Sequence, residues 1–101
     1  MAWKIVWLPK GIATYNIVLE YLHKEFTDRE IINFSERINH KLEVLEKQPY
    51  IGSVVSGRTQ TYRTLVHKKI TLYYRVRPLK QEIELMTFWN NLQNPARLRL
   101  R

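Results

Sequence analysis

The 101 residues contain no cysteine, which excludes disulfides, thiolate metal sites and cysteine nucleophiles. Long apolar runs are also missing. The N-terminal stretch Ile5-Val6-Trp7-Leu8 is far too short for a signal-peptide core or a membrane span, so the expectation is a soluble, cytoplasmic protein with no membrane partner. Glycine and proline are scarce, three and four residues respectively, and most of them punctuate the chain: Pro9 and Gly11, Pro49 with Gly52 and Gly57, and Asn94-Pro95. No glycine-rich phosphate loop, metal-ligand spacing or Ser/His/Asp arrangement occurs, so neither a metal nor a cofactor is expected. The most informative scarcity is of acidic side chains. From Lys47 to Gln81 there is none.

That gap divides the charge unequally. Residues 1–46 carry six Lys/Arg against seven Asp/Glu, whereas residues 47–101 carry eleven against two, Glu82 and Glu84. The halves thus hold net charges of −1 and +9. Concentrated like charge opposes compaction through self-repulsion. The imbalance points to an anionic counterpart: a nucleic-acid backbone, a nucleic-acid-handling enzyme or an acidic protein partner. Length and apolar content otherwise fit one globular domain over 1–101, with 90–101 a basic tail ending in Arg97, Arg99 and Arg101.

Apolar spacing supplies the element order. Residues 3–8 read as a short buried strand, with Trp3 and Trp7 sharing parity with Ile5 and serving as core aromatics of a central sheet. Tyr15, Val18, Leu19, Leu22 and Phe26 mark one face of a helix over about 10–25. Thr27 and Glu30 form a capping box, flanked by a Phe26/Ile31 hydrophobic staple. The stripe Ile31, Phe34, Ile38, Leu42 and Leu45 carries a second helix over about 27–48. Residues 49–60 read as a loop, followed by three strands: Tyr62 to Val66, a strand centred on Ile70 to Val76, and Glu82 to Trp89 with Ile83, Leu85, Thr87 and Trp89 on one face. The short links between them predict antiparallel hairpins. The fold class is therefore α+β, β-α-α-β-β-β, with a helical hairpin packed on one face of a mainly antiparallel sheet.

Period-2 alternation also selects candidate residues. If Ile70, Leu72, Tyr74 and Val76 face the helices, Lys69, Thr71, Tyr73, Arg75 and Arg77 line the opposite face, joined by Arg63 from the neighbouring strand. Arg, Lys and Tyr on one sheet face suit RNA, since guanidinium groups contact phosphate and tyrosines stack on bases. The same pattern describes an ordinary solvated sheet face. His67 and Lys68 fall at the hairpin between two strands, where a histidine is either merely exposed or a general base with a partner still to be found.

One further pattern spans the second half: Pro49-Tyr50-Ile51-Gly52, Tyr62-Arg63-Thr64-Leu65-Val66, Leu72-Tyr73-Tyr74-Arg75-Val76 and Phe88-Trp89-Asn90-Asn91-Leu92-Gln93-Asn94-Pro95. In order and spacing these segments resemble the RelE/ParE toxin superfamily of type II toxin–antitoxin, or plasmid-stabilisation, modules. The closing Gln-Asn-Pro resembles ParE-like members, although Leu92 stands where those usually carry arginine. The resemblance implies an acidic antitoxin as partner and one of two activities. RelE-like toxins cut mRNA on the ribosome with strand basic residues and a tyrosine near the C-terminus; ParE-like toxins poison DNA gyrase without that set. The RelE basic positions fall on Arg63, Leu65, Thr71 and Asn91, and no tyrosine follows Tyr74. The resemblance thus favours a binding toxin over an enzyme. On that reading Arg63, Lys68, Lys69, Tyr73, Arg75, Arg77, Arg97 and Arg99 contact the partner or nucleic acid. The nuclease alternative would instead use Arg63, His67, Lys69 and Arg75.

Overall fold

A computed structural model describes residues 2–92 and Leu98. Its elements are β1 (Lys4–Trp7), α1 (Pro9–Glu25), α2 (Asp28–Lys47), β2 (Ser53–Ser56), β3 (Thr61–His67), β4 (Ile70–Arg77) and β5 (Glu82–Asn90). The five strands form one sheet in the order β1-β5-β4-β3-β2. β1 runs parallel to β5 and every other pairing is antiparallel. The expected α+β class is found, with two helices on a mixed sheet. Strand β1 lies at the sheet edge, since the parallel pairing leaves it only β5 as a neighbour.

Local chemistry explains the helices. Pro9 opens α1, where its missing N–H costs no hydrogen bond. At the start of α2 the Thr27 hydroxyl accepts the Glu30 N–H and the Glu30 carboxylate accepts the Thr27 N–H, both at 3.3 Å. The capping box read from the sequence is therefore formed. Phe34, Ile38 and Leu45 of α2 join Val18 and Leu22 of α1 against Ile70, Leu72, Tyr74, Val76, Ile83 and Leu85. Each fully buried side chain of this kind contributes about 1.5–3 kcal/mol. Gly11 lets α1 approach β5 closely: a Cβ there would collide with the Leu85 carbonyl oxygen. Beyond the end of β1, the Thr14 hydroxyl accepts the Phe88 N–H at 2.9 Å, so a side chain continues what the edge strand leaves off.

Residues 49–60 are not loop throughout. Val54 and Val55 lie within β2, which pairs with β3 through Ser53–Arg63 and Val54–Tyr62. This four-residue edge strand was hidden between Gly52 and Gly57, because too few residues alternate to register as a period. Gly52 is held by its N–H, which donates to the Tyr74 hydroxyl at 3.0 Å. Burial raises the Tyr74 pKa, partly offset by that bond.

The expected face of β5 also needs correction. Between Tyr73–Thr87 and Tyr74–Leu85 the register shifts by one residue, leaving Met86 as a bulge. A bulge inverts the alternation beyond it. Ile83 and Leu85 therefore share the helix-facing side with Phe88, which stacks on Trp7 at 5.6 Å. Thr87 and Trp89 pair with Tyr73 and Thr71 on the far face instead.

Candidate functional site

The β3–β4 hairpin presents two clefts on opposite faces of the sheet. On the far face, alternation aligns Arg63 and Leu65 of β3 with Tyr73 and Thr71 of β4. Together with Ile51 and Ser53, Arg63, Leu65 and Thr71 line a shallow cleft of about 280 Å³. Beside it the Thr71 hydroxyl donates to the Asn91 amide oxygen at 3.0 Å. Arg63, Leu65, Thr71 and Asn91, the four positions singled out by the resemblance, are thus brought together in space. Among them Arg63 alone is charged, Leu65 is 55% exposed, and the remaining two bond to each other.

The other cations of that face are occupied. Arg75 Nε donates to Glu84 Oε1 at 2.9 Å, with a second Arg75 nitrogen at 2.8 Å. Arg77 approaches the same oxygen at 3.6 Å. Glu84 is largely buried under this pair, and a half-buried, charge-assisted contact of this kind outweighs a surface ion pair. A further cleft of about 420 Å³ lies at this end, between the arginines of β4, Arg58 and the Pro78–Lys80 turn. Tyr73 retains 8% exposure, which leaves its ring no face on which a base could stack. The sequence reading placed Tyr73, Arg75 and Arg77 as free binding groups. The structure keeps them on the expected face but buries the first and ties the other two to Glu84.

His67 and Lys69 depart further from expectation. The β3–β4 register slips between Leu65 and His67, making Val66 a bulge and pairing His67 with Ile70. His67 is therefore the last residue of β3 rather than an exposed turn histidine. Its ring lies edge-on to Phe34 and Phe26, with centroids 5.7 and 6.5 Å apart. Lys69 belongs to the turn and, with Lys68 and His67, lines a cleft of about 410 Å³ against α2. Burial lowers the His67 pKa below 6.5, and Arg37, Lys68 and Lys69 push it the same way against Glu30. The four residues of the nuclease alternative consequently split. Arg63 and Arg75 sit on the far face; His67 and Lys69 sit under α2.

Arg37 and Asn33 of α2 were assigned no role from sequence. They lie one turn apart on the helix, yet only the packing of α2 beside the β3–β4 turn places them with His67. Arg97 and Arg99 lie outside the described residues, as do Gln93, Asn94 and Pro95. Among the described residues there is no group of three or more potential metal ligands, and no helix is long and apolar enough to cross a membrane.

No protein-family model and no curated protein sequence matches this chain. Solved structures do. The isolated E. coli RelE toxin superposes with a TM-score of 0.64 at 12% identity, covering 94% of this chain and 90% of that one. The YoeB/ParE toxin from Agrobacterium tumefaciens gives 0.62 at 18% identity, with 86% and 96% covered. The toxin–antitoxin complex RelBE2 from Mycobacterium tuberculosis gives 0.59 at 12%, with 89% and 99% covered. At these identities the likeness establishes the fold, which is that of the RelE, YoeB and ParE toxin structures.

Proposed function

We propose that this chain is the toxin of a type II toxin–antitoxin module, acting by binding a protein target rather than by cutting mRNA. The observation that carries the second half of this reading is the far-face cleft. Arg63, Leu65, Thr71 and Asn91 converge there, but with one cation among them. Phosphodiester cleavage needs a base for the attacking 2′-hydroxyl, an acid for the leaving oxygen and cations for the developing phosphorane charge. Losing one preorganised electrostatic group commonly costs about 10²–10³ in rate. Penalties within one site do not add, yet a cleft with a lone arginine retains little. His67, Lys69 and Arg75 do not substitute, because two of them lie on the other face and the third is bound to Glu84.

DNA gyrase is the target implied by the resemblance to ParE-like toxins. The neutralising partner is an antitoxin whose acidic segment meets the basic half of the chain. Charge complementarity of this kind speeds association and is screened over about 8–10 Å at physiological ionic strength. The association rate should therefore fall steeply with salt, and a salt-independent rate would count against an acidic antitoxin.

Induction in cells with two readouts tests the mode of action. Plasmid supercoiling with DNA-break signalling should respond, and mapped mRNA ends should not. Codon-specific cuts in ribosome-bound mRNA, abolished by Arg63→Ala, would replace this reading with the RelE-type endonuclease.

A further inference from the structure

The cleft between α2 and the β3–β4 turn gathers cations from two separate elements. Arg37 comes from α2, Lys68 and Lys69 from the turn, and all three line the same space of about 410 Å³. None of the three forms an ion pair among the described residues. One carboxylate, Glu30, also lines the cleft, but its Oε1 is engaged by the Thr27 N–H and hydroxyl in the capping box, each at 3.3 Å. Asn33 adds a neutral amide. The inner wall is apolar, formed by Phe34, at 1% exposure, and Phe26.

His67 registers the resulting field. Burial against the two phenylalanines lowers its pKa, and Arg37, Lys68 and Lys69 lower it further, with Glu30 the one opposing group. Its Nδ1 accepts the Lys69 N–H at 3.5 Å, a long contact that favours a neutral ring protonated on Nε2 and able to donate from that atom. Three unpaired cations beside a desolvated imidazole repel one another, and an anion in the cleft would relieve that repulsion.

We propose that this cleft binds a phosphate group, separately from the Arg63 cleft on the opposite face of the sheet. The donor set distinguishes phosphate from carboxylate. A carboxylate carries one charge on two oxygens and is matched by a single arginine fork. A phosphate monoester carries up to two charges on three terminal oxygens, which engages Arg37, Lys68 and Lys69 together. Asn33 and His67 supply neutral donors for what remains. The source of the phosphate is either a free monoester or a nucleic-acid strand, whose diesters, each with one charge on two terminal oxygens, would engage the three cations through neighbouring phosphates rather than through one.

Titration of the 101-residue chain followed by NMR of its three histidines, His23, His40 and His67, tests this. The probes are inorganic phosphate, adenosine monophosphate, a dinucleotide with one phosphodiester, and acetate, each at constant ionic strength set with chloride. Phosphate should raise the His67 midpoint from below its ordinary value towards or above it, leaving His23 and His40 in place. In Arg37→Gln/Lys68→Gln the response should weaken at least tenfold. In Lys4→Gln/Lys47→Gln, which removes equal charge at exposed positions elsewhere, it should persist. A response to the dinucleotide as strong as to the monoester assigns the site to a strand, and one confined to monoesters assigns it to a free ligand. No response beyond chloride, an equal response to acetate, or an undiminished response in Arg37→Gln/Lys68→Gln would each overturn the proposal. None of these outcomes depends on toxicity.

Discussion

The two faces of the β3–β4 hairpin carry cations from the same short stretch of chain and use them differently. On the far face Arg75 and Arg77 converge on Glu84, Thr71 on Asn91, and Arg63 is left with uncharged neighbours in its cleft. On the helix side Lys68, Lys69 and Arg37 outnumber the one carboxylate of their cleft, Glu30, and none of the three forms an ion pair among the described residues. A +9 half-chain therefore does not make a uniformly basic surface. Glu84 ties up two of the three arginines on the face where the alternation had located the function, and cations without an ion pair among the described residues gather instead where the turn meets α2.

The largest effect on this contrast should come from Phe34, which is buried and forms the wall between core and helix-side cleft. Phe34→Ala should destabilise the protein by about 3–5 kcal/mol, read from denaturant midpoints. Water entering beside His67 should also return its pKa towards 6.5. An unchanged His67 titration would mean that the three cations, rather than burial, hold it down.

Glu84→Gln attacks the far face. It removes the charge shared by Arg75 and Arg77 and should cost about 1–3 kcal/mol, as expected for a charge-assisted bond lost from a partly buried site. Binding to single-stranded RNA should become stronger and steeper in salt, because two arginines are released. Unaltered stability would show that the Arg75–Glu84 pair behaves as a solvent-screened contact.

Leu65→Lys with Thr71→Arg sharpens the comparison from the other direction by restoring cations around Arg63. Two further phosphate contacts should steepen the salt dependence of RNA binding by about 1.4, at about 0.7 for each contact with a single strand. If the slope does not change, the cleft does not admit a strand.

The smallest effect is on pH dependence. His67 has a folded-state pKa below its unfolded value, so at acidic pH the unfolded chain binds more protons than the native one. Its contribution to stability is present above about pH 6.5 and is lost as pH falls through the lowered value. The stability difference between the parent chain and His67→Gln should therefore shrink between pH 7.5 and pH 5. A difference that grows on acidification would reverse the assigned direction.

Much of this protein was determined by short-range sequence alone. The two helices, their hairpin and the Thr27/Glu30 cap depend on spacings of three and four residues, within reach of one helical turn. The alternation of β4 depends on a spacing of two, and it correctly separated Ile70, Leu72, Tyr74 and Val76 from Thr71, Tyr73, Arg75 and Arg77. The convergence of Arg63, Leu65, Thr71 and Asn91 was implied only through resemblance, since nothing local links residue 63 to residue 91.

Tertiary structure decided the rest, and bulges were the main instrument. Met86 and Val66 each add one residue to a strand, and because side chains alternate with period two, one residue is enough to exchange the faces. That moved Thr87 and Trp89 to the far face and turned His67 towards Phe34. Strand β2 exists because β3 offers it a pairing edge, which its four residues do not announce. The pairing of Arg75 with Glu84, and the gathering of Arg37, Lys68 and Lys69 in one cleft, likewise follow from which strand or helix becomes a neighbour. Charge composition counts cations; only the packing of elements decides which carboxylate, if any, each one meets.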